Sequence, residues 1–137
     1  MMAEKIHPVA LDQPPFARHL GLEIVSATAE KVVATMVAGP ALINRNGVLH
    51  GGALMGLADN IGGTLAFLHL GPGEGTTTME SKTNFFRAVP PGDVVRAEAV
   101  PLHLGRKTIV VQTTLYRGDG KMAAQVVQTQ FTLRAGD

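Results

Sequence analysis

The stretch that most constrains this chain is HGGALMGLADNIGGTLAFLHL, residues 50–70, apolar and long enough to read as a single helix. At about 100° per residue, Leu54, Leu57, Ala58, Ile61, Leu65 and Leu68 fall on one stripe, which must face a core. Asp59 lies roughly opposite, on a face shared with Gly52, Gly56 and Gly63 and flanked by Met55 and Ala66. Each interior glycine weakens a helix by about 1 kcal/mol relative to alanine. A solvent-facing surface is ordinarily built from Lys, Glu or Gln. Glycines gathered around one carboxylate therefore predict that a ligand or another backbone comes close to this face.

The start of the helix points the same way. His50-Gly51-Gly52 offers backbone N–H groups at the positive end of the helix dipole, with no Cβ in the way. Such donors stabilise an oxyanion. Gly51 and Asp59 are separated by about 12 Å along one helix, at 1.5 Å per residue, so the two cannot reach one carbonyl together. Two copies of the helix, antiparallel about a two-fold axis, would set Gly51 of one beside Asp59 of the other. The expectation is an isologous homodimer with shared sites.

The rest of the chain is strand-rich. After a polar lead over 1–13, PPFARHLG (14–21) predicts a short helix opened by proline and closed by Gly21. LEIVSAT and KVVATMVAG predict an antiparallel pair turning near Ala29-Glu30. PALINRNGV reads as a loop, and GPGEG ends the long helix. Four more strands follow, punctuated by PPGD, LGR and GDG. Val95, Ala97 and Ala99 alternate with Arg96 and Glu98, the period of a half-buried strand. The order predicts one α+β domain over 1–137, a curled antiparallel sheet of about six strands with one long helix on its face.

Composition removes several function classes. With 45% hydrophobic residues, 17% charged and a net charge of +1, the 137-residue chain describes a folded domain without a basic footprint for nucleic acid. No cysteine is present, which excludes disulfides, thiolate metal sites and a Cys nucleophile, and fits a cytoplasmic protein. The opening residues lack the apolar core of a signal peptide, and Asp59, Asn60 and the glycines argue against a membrane span in the long helix. Neither Ser26 nor Ser81 sits in a G-x-S-x-G elbow. His7, His19, His69 and His103 lack metal-ligand spacing, and GPGEGTTT follows a helix instead of opening one, so neither a metal nor another cofactor is expected.

Asn44-x5-His50-Gly51-Gly52-x6-Asp59, followed by NFFRAVPPGD and the LGR hairpin, resembles the hotdog-fold acyl-CoA thioesterases. The likeness runs from about Gly21 to Leu133 and is nearest the PaaI-like, phenylacetate-pathway branch of the 4-hydroxybenzoyl-CoA thioesterase superfamily. It implies a sheet wrapped around a central helix, active sites at a dimer interface, and hydrolysis of an acyl-CoA thioester. By the same resemblance Asp59 is the general base or nucleophile, and the Gly51 N–H polarises the thioester carbonyl. Asn44 lies near that carbonyl and His50 is a supporting hydrogen-bond partner, with Gly52 beside the substrate. A Ser or Thr at the start of the next strand helps hold the water. NFFR aligns Thr78 there, with Thr77 one register away. Arg87, Arg106 and Lys107 are candidates for the phosphates of coenzyme A. Met55, Met79, Phe85 and Phe86 either line an acyl pocket or belong to the core. The family pairs as dimers or as dimers of dimers. Two other functions compete, a hotdog hydratase or dehydratase of enoyl thioesters and a non-catalytic acyl-CoA-binding protein.

Overall fold

A computed structural model describes residues 5–136 of the chain. A 3-10 turn at Pro8–Leu11 leads into α1, Pro15–Leu20, which opens on proline and stops at Gly21, where φ is +75°. Glycine adopts that left-handed angle without a Cβ clash. β1 (Glu23–Ala27) and β2 (Val32–Val37) form the first hairpin, and a second 3-10 turn spans Pro40–Leu42. α2 covers Gly51–Phe67. β3 (Gly75–Phe85), β4 (Val94–Leu104), β5 (Thr108–Tyr116) and β6 (Met122–Leu133) complete the chain.

The six strands form one antiparallel sheet in the order β1-β2-β4-β5-β6-β3. Its inner face follows the period of two. Val32, Ala34 and Met36 of β2, Val95, Ala97 and Ala99 of β4, Val111 and Leu115 of β5, and Ala124 and Val126 of β6 are all buried. Ala34 pairs with Ala97, and Leu115 with both Ala97 and Ala124, so small side chains line the middle of that face. Small residues let a helix lie close to a sheet without leaving voids. α2 lies there, touching β2, β3, β4, β5 and β6 through Leu54, Leu57, Ala58, Ile61 and Leu65, all buried. The predicted stripe is correct but too narrow. Leu68 is only half-buried at the helix end, whereas Ala66, placed beside the glycine face from the sequence, is fully buried together with Gly62.

From residue 5 the lead packs on the domain: Ile6 bridges Ala27 of the edge strand β1 and Ala10 is fully buried. The chain's own α1 approaches Gly56: a Cβ there would lie 3.0 Å from the Phe16 ring and 3.2 Å from Leu20. Short-range pattern cannot reveal which element crosses a helix face. Among the described residues, beyond its chain neighbours and the adjacent helix backbone, no heavy atom stands within 4 Å of where a Cβ on Gly63 would be. Gly63→Ala is therefore expected to stabilise the subunit by up to ~1 kcal/mol, and Gly56→Leu to displace α1 at a cost of about 1–3 kcal/mol. Thermal denaturation reads both. A lowered melting temperature for Gly63→Ala would show that atoms of a second molecule fill that space in solution.

Candidate active site

Asp59 sits on the exposed side of α2, and β3 and β6 bring hydroxyls and amides to it. Thr78 Oγ1 donates to Asp59 Oδ1 at 2.7 Å, and Gln128 Nε2 donates to the same oxygen at 3.3 Å. Gln130 Nε2 donates to Thr78 Oγ1 at 2.7 Å, and Thr76 Oγ1 donates to Gln130 Oε1 at 3.0 Å. The chain of bonds has one direction. A hydroxyl has one proton to give, and the Gln130 amide already fills a lone pair of Thr78, so the Thr78 proton turns to the carboxylate. None of the described residues bonds Asp59 Oδ2.

The register of β3 decides which of Thr77 and Thr78 meets Asp59. A bulge between Thr78 and Glu80 breaks the strand's alternation, which is why it looks irregular in sequence. Thr78 is the threonine that meets Asp59. All three of Thr76, Thr77 and Thr78 line a cleft of about 640 Å³ with Asp59, Asn60, Gly63 and Phe67. Its opposite wall is Val9, Asp12, Gln13 and Pro14. Gln13 Oε1 accepts from Asn60 Nδ2 at 2.5 Å, joining the lead to α2 beside Asp59.

Gly51 lies in a different cleft, of about 380 Å³, with Asn44, Leu49, Leu54, Phe85, Phe86 and Arg87. As the first residue of α2 it has no intrahelical acceptor for its N–H, and no described residue accepts from it. Gly52 differs from the expectation. Its N–H donates to His50 Nδ1 at 2.8 Å, so the imidazole caps the helix and one amide, not two, is open. Asn44 is also partly committed: its Oδ1 accepts from the amides of Asn46 and Val48 at 2.9 and 3.2 Å, holding the loop before the helix. Phe85 covers Gly51, its ring 3.1 Å from where a Cβ would be.

The remaining candidates divide. Arg87 lines the Gly51 cleft, with its guanidinium donating to the Met122 carbonyl at 2.8 Å. Arg106 and Lys107 line neither cleft. Their carbonyls accept from Arg134 and from the Thr132 amide in the β4–β5 turn. Phe85 and Phe86 prove exposed, as do Met55 and Met79, so none of the four is core. Sequence reasoning missed Gln128 and Gln130, 0% and 1% exposed. The available signal is spacing. Ala124, Val126, Gln128, Gln130 and Thr132 share one strand face that turns from apolar to amide, where an ordinary core face stays apolar.

The Thioesterase superfamily matches residues 46–124, which hold the whole of α2, Asp59 and Thr78. A putative esterase of Haemophilus influenzae is 34% identical over 104 residues, covering 76% of this chain and 75% of that protein. Among solved structures, a thioesterase from Haemophilus influenzae superposes with a TM-score of 0.87 at 28% identity, covering 100% of this chain and 98% of that one. A mutant of the phenylacetic acid degradation protein PaaI from Thermus thermophilus gives 0.80 at 26% identity, over 86% and 98%. A hypothetical thioesterase protein from Streptococcus pneumoniae, solved with coenzyme A, gives 0.75 at 27% identity, over 83% and 88%. With six antiparallel strands curled about α2 and these matches, the chain belongs to the thioesterase superfamily and is a hotdog-fold thioesterase of the PaaI-like type.

Proposed function

We propose that the protein hydrolyses an acyl-CoA thioester to a free acid and coenzyme A, at two equivalent sites shared across a homodimer. The observation that carries this reading is the state of Asp59: one carboxylate oxygen tied by Thr78 and Gln128, the other open to a cleft. In this reading Oδ2 takes a proton from a water in the cleft beside the Thr78 hydroxyl, and the water oxygen attacks the thioester carbon. The carbonyl oxygen becomes an oxyanion on the N–H of the partner's Gly51. Collapse breaks the C–S bond, and the thiolate leaves as coenzyme A. Direct attack by Asp59 displaces the thiolate to form a mixed anhydride and gives the same products; where water then opens the anhydride at the aspartyl carbon, single turnover in ¹⁸O-water leaves the label in the protein instead of in the acid.

The dimer is supported by the separation of the Asp59 and Gly51 clefts and by the edges of the sheet. β1, with 5 residues, is bridged by the lead, whereas β3, with 11, has an unpaired outer edge and carries exposed Met79 and Phe85. A long open edge of this kind ordinarily pairs. The coenzyme A moiety is supported by the Streptococcus pneumoniae relative and gives Arg87, Arg106 and Lys107 phosphates to meet. Among the described residues no helix is long and apolar enough to cross a membrane.

A panel of aryl- and medium-chain acyl-CoAs, assayed by thiol release, tests the reading, with crotonyl-CoA hydration followed in parallel. Thiol release from at least one class, with no hydration, is expected. Hydration without thiol release, or binding without turnover, would replace it with the hydratase or the binding protein.

A further inference from the structure

We infer that Gln128 is a positioning residue for Asp59, kept in the core for the carboxylate at the expense of fold stability; the inference rests on the reading of Asp59 above. Gln128 is fully buried on the inner face of β6, in line with Ala124 and Val126. Its Nε2 donates to Asp59 Oδ1. A carboxylate only accepts, so this contact fixes which end of the amide faces Asp59. The other end, Oε1, is then buried without a hydrogen-bond partner among the described residues. A buried, unpartnered carbonyl opposes folding.

The helix opposite makes room for it. A Cβ on Gly62 would fall on Gln128 Oε1, 2.6 Å from its Cδ and 2.9 Å from its Nε2. All three heavy atoms of the amide crowd the position that methyl would take, and the side chain is fully buried. Gly62 is therefore the seat of Gln128. A mid-helix glycine and an orphaned amide oxygen are each unfavourable for stability, and they meet at one contact. The one hydrogen bond the side chain makes among the described residues is to Asp59. Together with Thr78 it ties up Oδ1 from two directions, which fixes the carboxylate plane and turns Oδ2 to the cleft. Interactions that break local rules tend to gather at functional sites.

The test separates function from packing. Gln128→Met keeps volume and removes both the donor and the orphaned oxygen. It is expected to lower kcat by about ten- to a hundredfold, the rate equivalent of a hydrogen bond to a charged group, with KM unchanged and the melting temperature unchanged or raised. A residue that merely packs would lose activity and stability together. Gly62→Ala supplies the second measurement. In the wild-type background it is expected to lower both melting temperature and kcat by displacing the amide. In a Gln128→Ala background, where the space is open, the same substitution is expected to raise the melting temperature. Wild-type kcat in Gln128→Met, parallel losses of stability and rate, or the same sign for Gly62→Ala in both backgrounds would overturn the inference. Asp59→Asn is assayed beside them. Full activity in that variant overturns the reading of Asp59, whereas an inactive Asp59→Asn beside a fully active Gln128→Met overturns only the role given to Gln128.

Discussion

Asp59→Asn is expected to fold and assemble as the wild type does, and to lose kcat by about 10² or more, the scale for removing a catalytic base. The physical case is unusually direct for a single atom. Asparagine keeps the shape of the side chain, and its carbonyl oxygen can still accept from Thr78 and Gln128 in place of Oδ1. What changes is the second oxygen, replaced by an amide nitrogen that neither accepts a proton nor attacks a carbonyl carbon. Because the network is retained, circular dichroism, melting temperature and size-exclusion profile should superpose on those of the wild type while thiol release collapses. Near-wild-type turnover would remove Asp59 from the chemistry, and with it the proposed mechanism.

The second large effect lies at the other end of the helix. Gly51→Pro removes the one open amide at the start of α2 and little else. Proline is accommodated at the first position of a helix. His50, which precedes it, already has φ −64° and ψ +134°, the extended conformation that a residue before proline prefers. Phe85 must shift its ring slightly, and at 52% exposure it has space to do so. Loss of one oxyanion donor lowers kcat by about 10²–10³, so Gly51→Pro should be folded and nearly inactive. The stronger result comes from mixing. If each site joins Asp59 of one subunit to Gly51 of the other, unfolding and refolding Gly51→Pro together with Asp59→Asn makes heterodimers with one intact site. Random pairing gives heterodimers half of the population, so about a quarter of wild-type activity should return from two inactive proteins. Native mass spectrometry counts the heterodimers. If they form and the mixture stays inactive, the site belongs to a single chain.

Much of this was legible in the residues. The strands, their turns and the sheet-facing stripe of α2 follow from local period and from glycine and proline, which act within a few residues. The constellation from Asn44 through Asp59 is likewise contained in one loop and one helix. What stayed hidden is long-range. Gln128 lies 69 residues from Asp59, and an amide in an alternating strand reads as solvent-facing until the register is known. Phe16 against Gly56 is a matter of which element crosses a helix, and no periodicity encodes it. The resemblance names Asn44 and His50 but not their local duties. Asn44 closes a turn on its own loop, and His50 caps its own helix. A side chain satisfied by its immediate neighbours looks, in sequence, the same as one waiting for a substrate.

The placement of Asp59 and Gly51 in separate clefts also has a consequence for the cell under the proposed shared site. A newly made chain is then a folded object with no activity, and each of its two half-sites waits for a twin. Below the dissociation constant of the pair, the number of working sites grows with the square of the number of chains. Halving synthesis then removes three quarters of the turnover, and doubling it gives four times as much. In such an arrangement activity answers to the abundance of the chain more steeply than to that of the substrate.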